Sequence, residues 1–526
     1  MTQGCFFVNF GMFIRKKKNR SGTTSVVVVS KSYGKFKELK TIGVGSNVSE
    51  IESLVLKGKS WMESYCGELD IFKSRTKEIE EQQVTEYFLS NIENILLNGT
   101  QLILSQLFKS IGFDAIKDDI FKHLVIARLC QPLSKLATVE YLKSHFDEDV
   151  QLHKIYRYLD KLCHTQQETI QQISVEHTRR ILGGKIGLMF YDVTTLYFEA
   201  DYGDELRESG FSKDGKHSQP QIVLGLLVSQ AGYPLSYSIF NGSQFESRTM
   251  IPIVDDFIQR FKIEDVVIVA DSGLMNKSNL ALLESGKYQY IIGARIKNET
   301  TTIKESIVGF EKENGVFNEI KKGTQRLIIG YSDKRAKKDK YNRENAIERL
   351  KKTFKTGKIT KENINKRGYN KFIEIEDHVK VKLNEEKIRE DEKWDGLKGY
   401  LTNTNLSAKE VYEQYSSLWQ IERAYRITKG KIELRPMFVF NPKRIEAHIC
   451  ICFVAYKLYK ELERLLKLNN IDLSVDKVID IAKTITTIKV KLATNKLTIS
   501  KTMLFTPLHH KIAQLFDENF WKPNFG

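Results

Sequence analysis

The chain has 526 residues, a net charge of +16, 41% hydrophobic and 28% charged residues, with only 8 prolines and 32 glycines. That length exceeds one hydrophobic core and predicts several domains, and the composition excludes a disordered or low-complexity chain. The basic excess favours a polyanionic partner, and the longest apolar run, Ile449–Tyr456, is far shorter than the ~20 residues that span a bilayer; a membrane is therefore not expected as a partner.

Residues 1–74 read as β-rich: FFVNFGMFI, a basic turn RKKKNRSG, then SVVVVSKS. The run Arg15–Lys18 fits either a solvated loop or a phosphate contact. The N-terminus places its apolar part before its basic part, the reverse of a secretory signal. Residues 75–184 read as helical. IFKHLVIARLC is broken by Pro132, SKLATVEYLKSHF resumes with Ser134 as N-cap, and HKIYRYLDKLC and QQISVEHTRRILGG follow. Their basic faces fit either a helix-turn-helix-like DNA-binding region or a plain helical bundle.

Residues 185–298 switch to strands. GLMFYDVTTLYFE is a long β-rich run, QIVLGLLVS–QAGYP–LSYSIF reads as a hairpin, and MIPIVDDFIQRF as an amphipathic helix. DVVIVADSG is a buried strand ending at Asp271, followed by a helix (SNLALLESG) and another strand (YQYIIGA). The order β-β-β-α-β-α-β predicts an α/β fold, an RNase H-like mixed sheet flanked by helices. Residues 299–400 interrupt it with a β-rich basic insertion. Its segment 331–370 holds 14 Lys/Arg against 5 Asp/Glu, more than half of the chain's excess charge. Beside a nuclease-like core, Lys334, Lys337, Lys338, Lys351 and Lys352 point to phosphate contacts; a solvated helix is the other reading. Residues 401–465 return to helix as the second part of the catalytic domain, and 466–526 are expected to be helical. Six scattered cysteines without a CxxC pair predict buried reduced thiols and a cytosolic, disulfide-free protein.

Three carboxylates occupy unlikely places. Asp192 lies mid-strand among apolar residues, where aspartate is disfavoured. Asp271 ends the apolar strand VVIVA, at the carboxyl edge where α/β sheets gather reactive groups. Glu422 lies in Val411–Lys429, VYEQYSSLWQIERAYRITK. On one helix at 100° per residue, Val411, Tyr415, Leu418, Glu422, Tyr425 and Lys429 fall within about 40° of one line, which predicts that Glu422 shares the core-facing stripe. Each acid has a structural alternative: a buried ion-pair partner for Asp192, a turn or N-cap for Asp271, an i,i+4 pair with Arg426 for Glu422. Converging, the three suit hard divalent cations that cut a phosphodiester.

At these residues the chain resembles the DDE-type insertion-sequence transposases of bacteria, in the group whose third acid lies in a Tyr-x2-Arg-x3-Glu-x6-Lys signature. Tyr415, Glu422 and Lys429 match its spacing, and Leu418 stands where the signature has arginine. FYDVTTLYFE, ADSGL and WQIERAYRITKGKIELRP resemble the three acidic blocks, and the likeness extends over roughly residues 105–465. The resemblance implies that Asp192, Asp271 and Glu422 bind two Mg²⁺ or Mn²⁺ ions. It implies nicking at the element's ends and attack of the freed 3′-OH on target DNA. Double-stranded DNA is the implied partner, bound by a homodimer on paired ends in the nucleoid of the bacterial cytoplasm. Tyr415 and Lys429, with Arg426 beside them, would touch DNA phosphates; core packing is the alternative for Tyr415. Trp419 reads as a packing or base-stacking residue, and His217 as a supporting or incidental one. A DNA-binding relative without catalysis and another RNase H-like nuclease remain the alternatives.

Overall fold

The computed structural model describes residues 11–525 apart from 33–34, 201, 213–214, 275, 356–367, 377–379, 436, 493–496, 518–520 and 522–523. Of the cysteines, Cys130, Cys450 and Cys452 are buried thiols; Cys5 and the side chains of Cys66 and Cys163 lie outside the described residues. The chain divides into two units, Met1–Ile95 with Ile488–Ser500 and Pro523–Gly526, and Leu96–Thr487 with Lys501–Lys522.

In the first unit, strands β1 (Met12–Lys18), β2 (Thr24–Ser32) and β3 (Lys35–Gly45) form an antiparallel meander against a 43-residue helix α1 (Val48–Ser90). The helix starts well inside the segment expected to be β-rich. Its signal is local: the Asn47 side chain accepts from the Glu50 N–H, and the Glu50 carboxylate reaches back to Ser46. Strand β4 (Ile92–Leu96) belongs to a four-stranded sheet with three strands of the C-terminal tail given below.

The second unit opens with helices α2 (Gly99–Ile111), α3 (Asp119–Cys130), α4 (Lys135–Phe146), α5 (Leu152–Thr165) and α6 (Gln167–Ile181). As expected, α3 stops before Pro132 and Ser134 caps α4, its hydroxyl accepting from the Ala137 N–H. Then come β5 (Leu188–Tyr197), β6 (Gln221–Ser229), β7 (Pro234–Asn241), α7 (Met250–Phe261), β8 (Val267–Ala270), α8 (Lys277–Ser285), β9 (Gln289–Ala294), α9 (Thr301–Val308), β10 (Phe317–Lys322), β11 (Gln325–Tyr331), α10 (Asp333–Lys355), β12 (Ile373–Glu376), β13 (Lys380–Leu383), α11 (Glu385–Glu392) and β14 (Leu397–Thr402). Helices α12 (Ala408–Ser416), α13 (Trp419–Gly430), α14 (Pro442–Leu468) and α15 (Val475–Ala482) follow, and β15 (Thr486–Lys491), β16 (Thr498–Met503), α16 (Pro507–Ala513) and β17 (Asn524–Phe525) end the chain.

The central sheet runs β10-β11-β14-β9-β8-β5-β6-β7. Strands β5, β6 and β7 are antiparallel neighbours, whereas β8 lies parallel to β5 and β9 parallel to β8. Three antiparallel strands flanked by two parallel ones is the RNase H-like arrangement read from the sequence. Apolar residues of β5 alternate between two cores: Leu188, Phe190 and Leu196 face one, shared with α14, while Met189, Tyr191 and Val193 face the other, shared with α7. The fold is α/β/α in layers.

Two segments differ from their reading. The insertion does not stand apart: β10, β11 and β14 extend the central sheet beyond β9, and its basic stretch is the long helix α10. Leu327, Ile328 and Ile329 of β11 are buried on both faces, so the segment gains most by joining a covered sheet. The tail expected to be helical also carries β15 and β16; TTIKVK and TISKTM are rich in β-branched residues, which favour strands. Among the described residues, no helix is long and apolar enough to cross a membrane.

Candidate active site

Pairing between β5 and β8 sets the site. Tyr191 lies opposite Ala270 in a parallel register, so the next residues, Asp192 and Asp271, come side by side on strands spaced about 4.8 Å apart. Sheet alternation sends both toward the face covered by α12 and α13. Helix α13 packs on β5 and β6, and α12 on β9, β14 and β8. Asp192 is half-buried and Asp271 exposed. Tyr425, fully enclosed in α13, places its hydroxyl 2.8 Å from the Asp192 carbonyl and 3.0 Å from that of Leu224, pinning the helix across the β5–β6 pair.

Tyr415 is 3% exposed at the end of α12, and its hydroxyl donates to Asp271 Oδ1 at 3.0 Å. Burial first, then the negative charges of Asp271 and Glu422, push its phenol well above the usual range, so it stays a donor. Gly293 on β9 makes room: a Cβ there would lie 2.5 Å from the Tyr415 hydroxyl. The expected DNA contact thus becomes, in this arrangement, a contact with the carboxylate itself.

Glu422 departs from its reading. Val411–Lys429 is two helices, with α12 ending at Ser416 and α13 starting at Trp419. Ser417 leaves helical geometry (φ −77°, ψ 0°) while its hydroxyl donates to the Glu413 carbonyl, the competition by which paired serines interrupt helices. Val411, Tyr415, Leu418 and Tyr425 are buried as the stripe requires, but Glu422 is exposed in the first turn of α13. It still belongs to the same locality, because Glu422 and Asp271 together act on Tyr415 and on Lys398 of β14.

The cationic candidates separate. The Lys429 ammonium meets the Thr194 hydroxyl, two residues past Asp192 on the same face of β5. Arg426 is exposed on α13, and Lys337, Lys338, Lys351 and Lys352 are exposed along α10. Trp419 is 49% exposed rather than packed. His217 lies in an exposed loop and accepts from the Ser212 N–H. Two residues escaped the sequence reading. Glu246, just before α7, acts electrostatically together with Asp192 on Tyr191 and Tyr425. Lys398 lies in LKGYLT, which reads as an ordinary strand.

The donors of this site are carboxylate oxygens, the set that hard divalent ions take. Asp192 and Asp271 supply two such groups on neighbouring parallel strands. Among the described residues no three His, Cys, Asp or Glu side chains stand close enough to enclose an ion.

The RNase H-like sheet thus carries two acids on adjacent parallel strands, with a third on the covering helix. Residues 184–458 match the family model of the transposase DDE domain, just over half of the chain, and the chain belongs to that family. Among solved structures it is similar to the piggyBac transposase in a synaptic complex with hairpin DNA (TM-score 0.38, 9% identity, 75% of this chain and 78% of that one). It is also similar to the Mos1 transposase in a paired-end complex with the left transposon end (0.15, 12%, 30% and 53%) and to the Mos1 mariner paired-end complex with Mn (0.14, 10%, 30% and 54%). No curated protein matches the chain.

Proposed function

We propose that this transposase cuts DNA at the ends of a bacterial insertion sequence and joins the freed 3′-OH to target DNA, with Asp192, Asp271 and Glu422 as its acids. The observation that carries the reading is the side-by-side register of Asp192 and Asp271 beneath α12 and α13. In the first step water attacks phosphorus, the P–O3′ bond breaks and the leaving 3′ oxygen takes a proton. In the second, that 3′-OH attacks a target phosphate and expels its 3′ oxygen. Two Mg²⁺ or Mn²⁺ ions held by the three acids would supply an activated oxygen nucleophile and stabilise the leaving oxygen. Tyr415 orients Asp271 through its hydrogen bond, and Lys429, steadied on Thr194, faces the strand that Asp192 serves. Exposed lysines of α10 hold duplex phosphates. A homodimer on paired ends in the nucleoid is the assembly this reading calls for, with residues 75–184 contributing DNA contacts.

The test is Asp192→Asn and Asp271→Asn on labelled end DNA. Both are expected to lose nicking while binding DNA nearly as well as the wild type, and neither should lower the melting temperature of metal-free protein, since each relieves repulsion. A large loss of stability with normal nicking would make Asp192 half of a structural ion pair, whose breakage costs roughly 3–5 kcal/mol.

A further inference from the structure

A cleft of about 550 Å³ opens beside Asp271, walled by the ends of β9 and β14, by α10 and by the residues after α11. Most of its cations are already matched. Lys297 and Lys371 both hold Asp391 at 2.6 Å, Arg343 grips Asp395 with two bonds of 2.6 and 2.7 Å, and Arg335 lies 3.6 Å from Asp339. Arg295 rests 3.5 Å from the Gly273 carbonyl.

Lys398 is different. It stands on the face of β14 that also carries Tyr400, the face turned to α12. Its ammonium lies 4.4 Å from the centre of the Tyr415 ring and 5.8 Å from that of Tyr400. Tyr415 is the residue whose hydroxyl holds Asp271, so Lys398 sits one ring away from the reacting carboxylate. Burial first, then Arg335, lower the pKa of Lys398, and Asp271 and Glu422 only partly offset them. Among the described residues it forms no ion pair and no hydrogen bond. A half-buried ammonium supported only by aromatic faces and remote acids is costly to keep, and it gains most from an anion brought into the cleft.

We propose that Lys398 contacts the substrate: its ammonium binds a non-bridging oxygen of a phosphate in the DNA strand that enters this cleft next to the cut. The inference rests on the transposase reading above, and it adds a residue and a strand path to it. The DNA runs from Asp271 into the cleft rather than only across the exposed helix α13, and Lys398 fixes the phosphate adjacent to the one attacked.

The experiment pairs protein and DNA changes. Wild type, Lys398→Met and Lys398→Arg cleave end DNA in Mn²⁺, with single methylphosphonates, which lack the phosphate charge, placed in turn along each strand. On unmodified DNA, Lys398→Met is expected to cleave about 10²–10³-fold more slowly, and Lys398→Arg to keep most of the rate. At one methylphosphonate position near the cut the wild type should fall to the rate of Lys398→Met, with no further loss in the variant. A Lys398→Met deficit equal at every position would overturn the proposal in favour of a counter-ion for Asp271 and Glu422, as would wild-type cleavage by the variant. If Lys398→Met does not fold, a position-specific effect with Lys398→Arg, whose guanidinium reaches differently, decides the same question. Absence of cleavage by the wild type on any DNA would instead remove the transposase reading, and this proposal with it.

Discussion

Gly293→Ala tests the geometry around Asp271 without touching a charged group. The added Cβ would lie 2.5 Å from the Tyr415 hydroxyl, 3.1 Å from the Ser272 nitrogen and 3.2 Å from the Tyr415 Cζ. Ordinary contact needs close to 3.4 Å, so the phenol has to withdraw by roughly 1 Å, which breaks its 3.0 Å bond to Asp271. Overpacking of this kind costs about 1–3 kcal/mol, or roughly 2–4 °C in melting temperature for each kcal/mol in a domain this large. A carboxylate displaced by about 1 Å should slow cleavage on the order of 100-fold. Tyr415→Phe removes the oxygen that would be struck and leaves the Ser272 nitrogen at 3.1 Å and the ring carbon at 3.2 Å, each of which needs to give by a few tenths of an ångström. In that background Gly293→Ala should cost under about 1 kcal/mol. Melting temperatures of the four proteins in the cycle measure the coupling, and end cleavage measures the consequence. Additivity within ~0.5 kcal/mol would refute the close approach of Tyr415 to Gly293 and with it the positioning of Asp271 by that phenol.

Two further outcomes follow from the charges. Replacing Lys337, Lys338, Lys351 and Lys352 of α10 by glutamine should flatten the dependence of DNA binding on salt, by about 0.9 in log–log slope for each phosphate that these lysines neutralise; an unchanged slope would mean that this face meets only solvent. Stability should rise as pH rises from 4 to 7. Burial, followed by the positive charges of Lys457, Arg180 and Arg464, lowers the His177 pKa from 6.5 to about 3, even though Glu461 lies 3.8 Å away, because Arg464 and Tyr233 already engage that carboxylate. Between those two values the unfolded chain binds the proton and the folded chain does not, so acid favours unfolding, by an amount on the order of a few kcal/mol. Buried Lys135, lowered to about 7, extends the same trend upward in pH. His177→Gln should flatten the urea midpoint between pH 4 and 6.5; an unaltered profile would place the titration elsewhere.

What could be read from the sequence depended on how local each determinant is. Asp192 and Asp271 stood out because each interrupts or ends a run of apolar strand residues, whereas their side-by-side placement comes from the long-range parallel β5–β8 pairing. Glu422 was legible as a member of its signature, but its exposure was not. The stripe argument assumed one continuous helix, and a pair of serines, Ser416 and Ser417, broke it. The insertion's strands were visible as strands, yet their addition to the central sheet depends on pairing across tens of residues, Gly399 with Ala294 and Leu327 with Leu401, which no local pattern encodes. Lys398 was invisible for the same reason, since its meaning comes from Tyr415, which arrives from another element.

Cleavage of labelled linear DNA bearing the flanking terminal repeats, in Mg²⁺ or Mn²⁺ against EDTA, with wild type and Glu422→Gln, tests the central claim most directly. Metal-dependent nicking at the ends that disappears in Glu422→Gln is the predicted result. Binding without nicking under any metal, or nicking that Glu422→Gln retains, would contradict it.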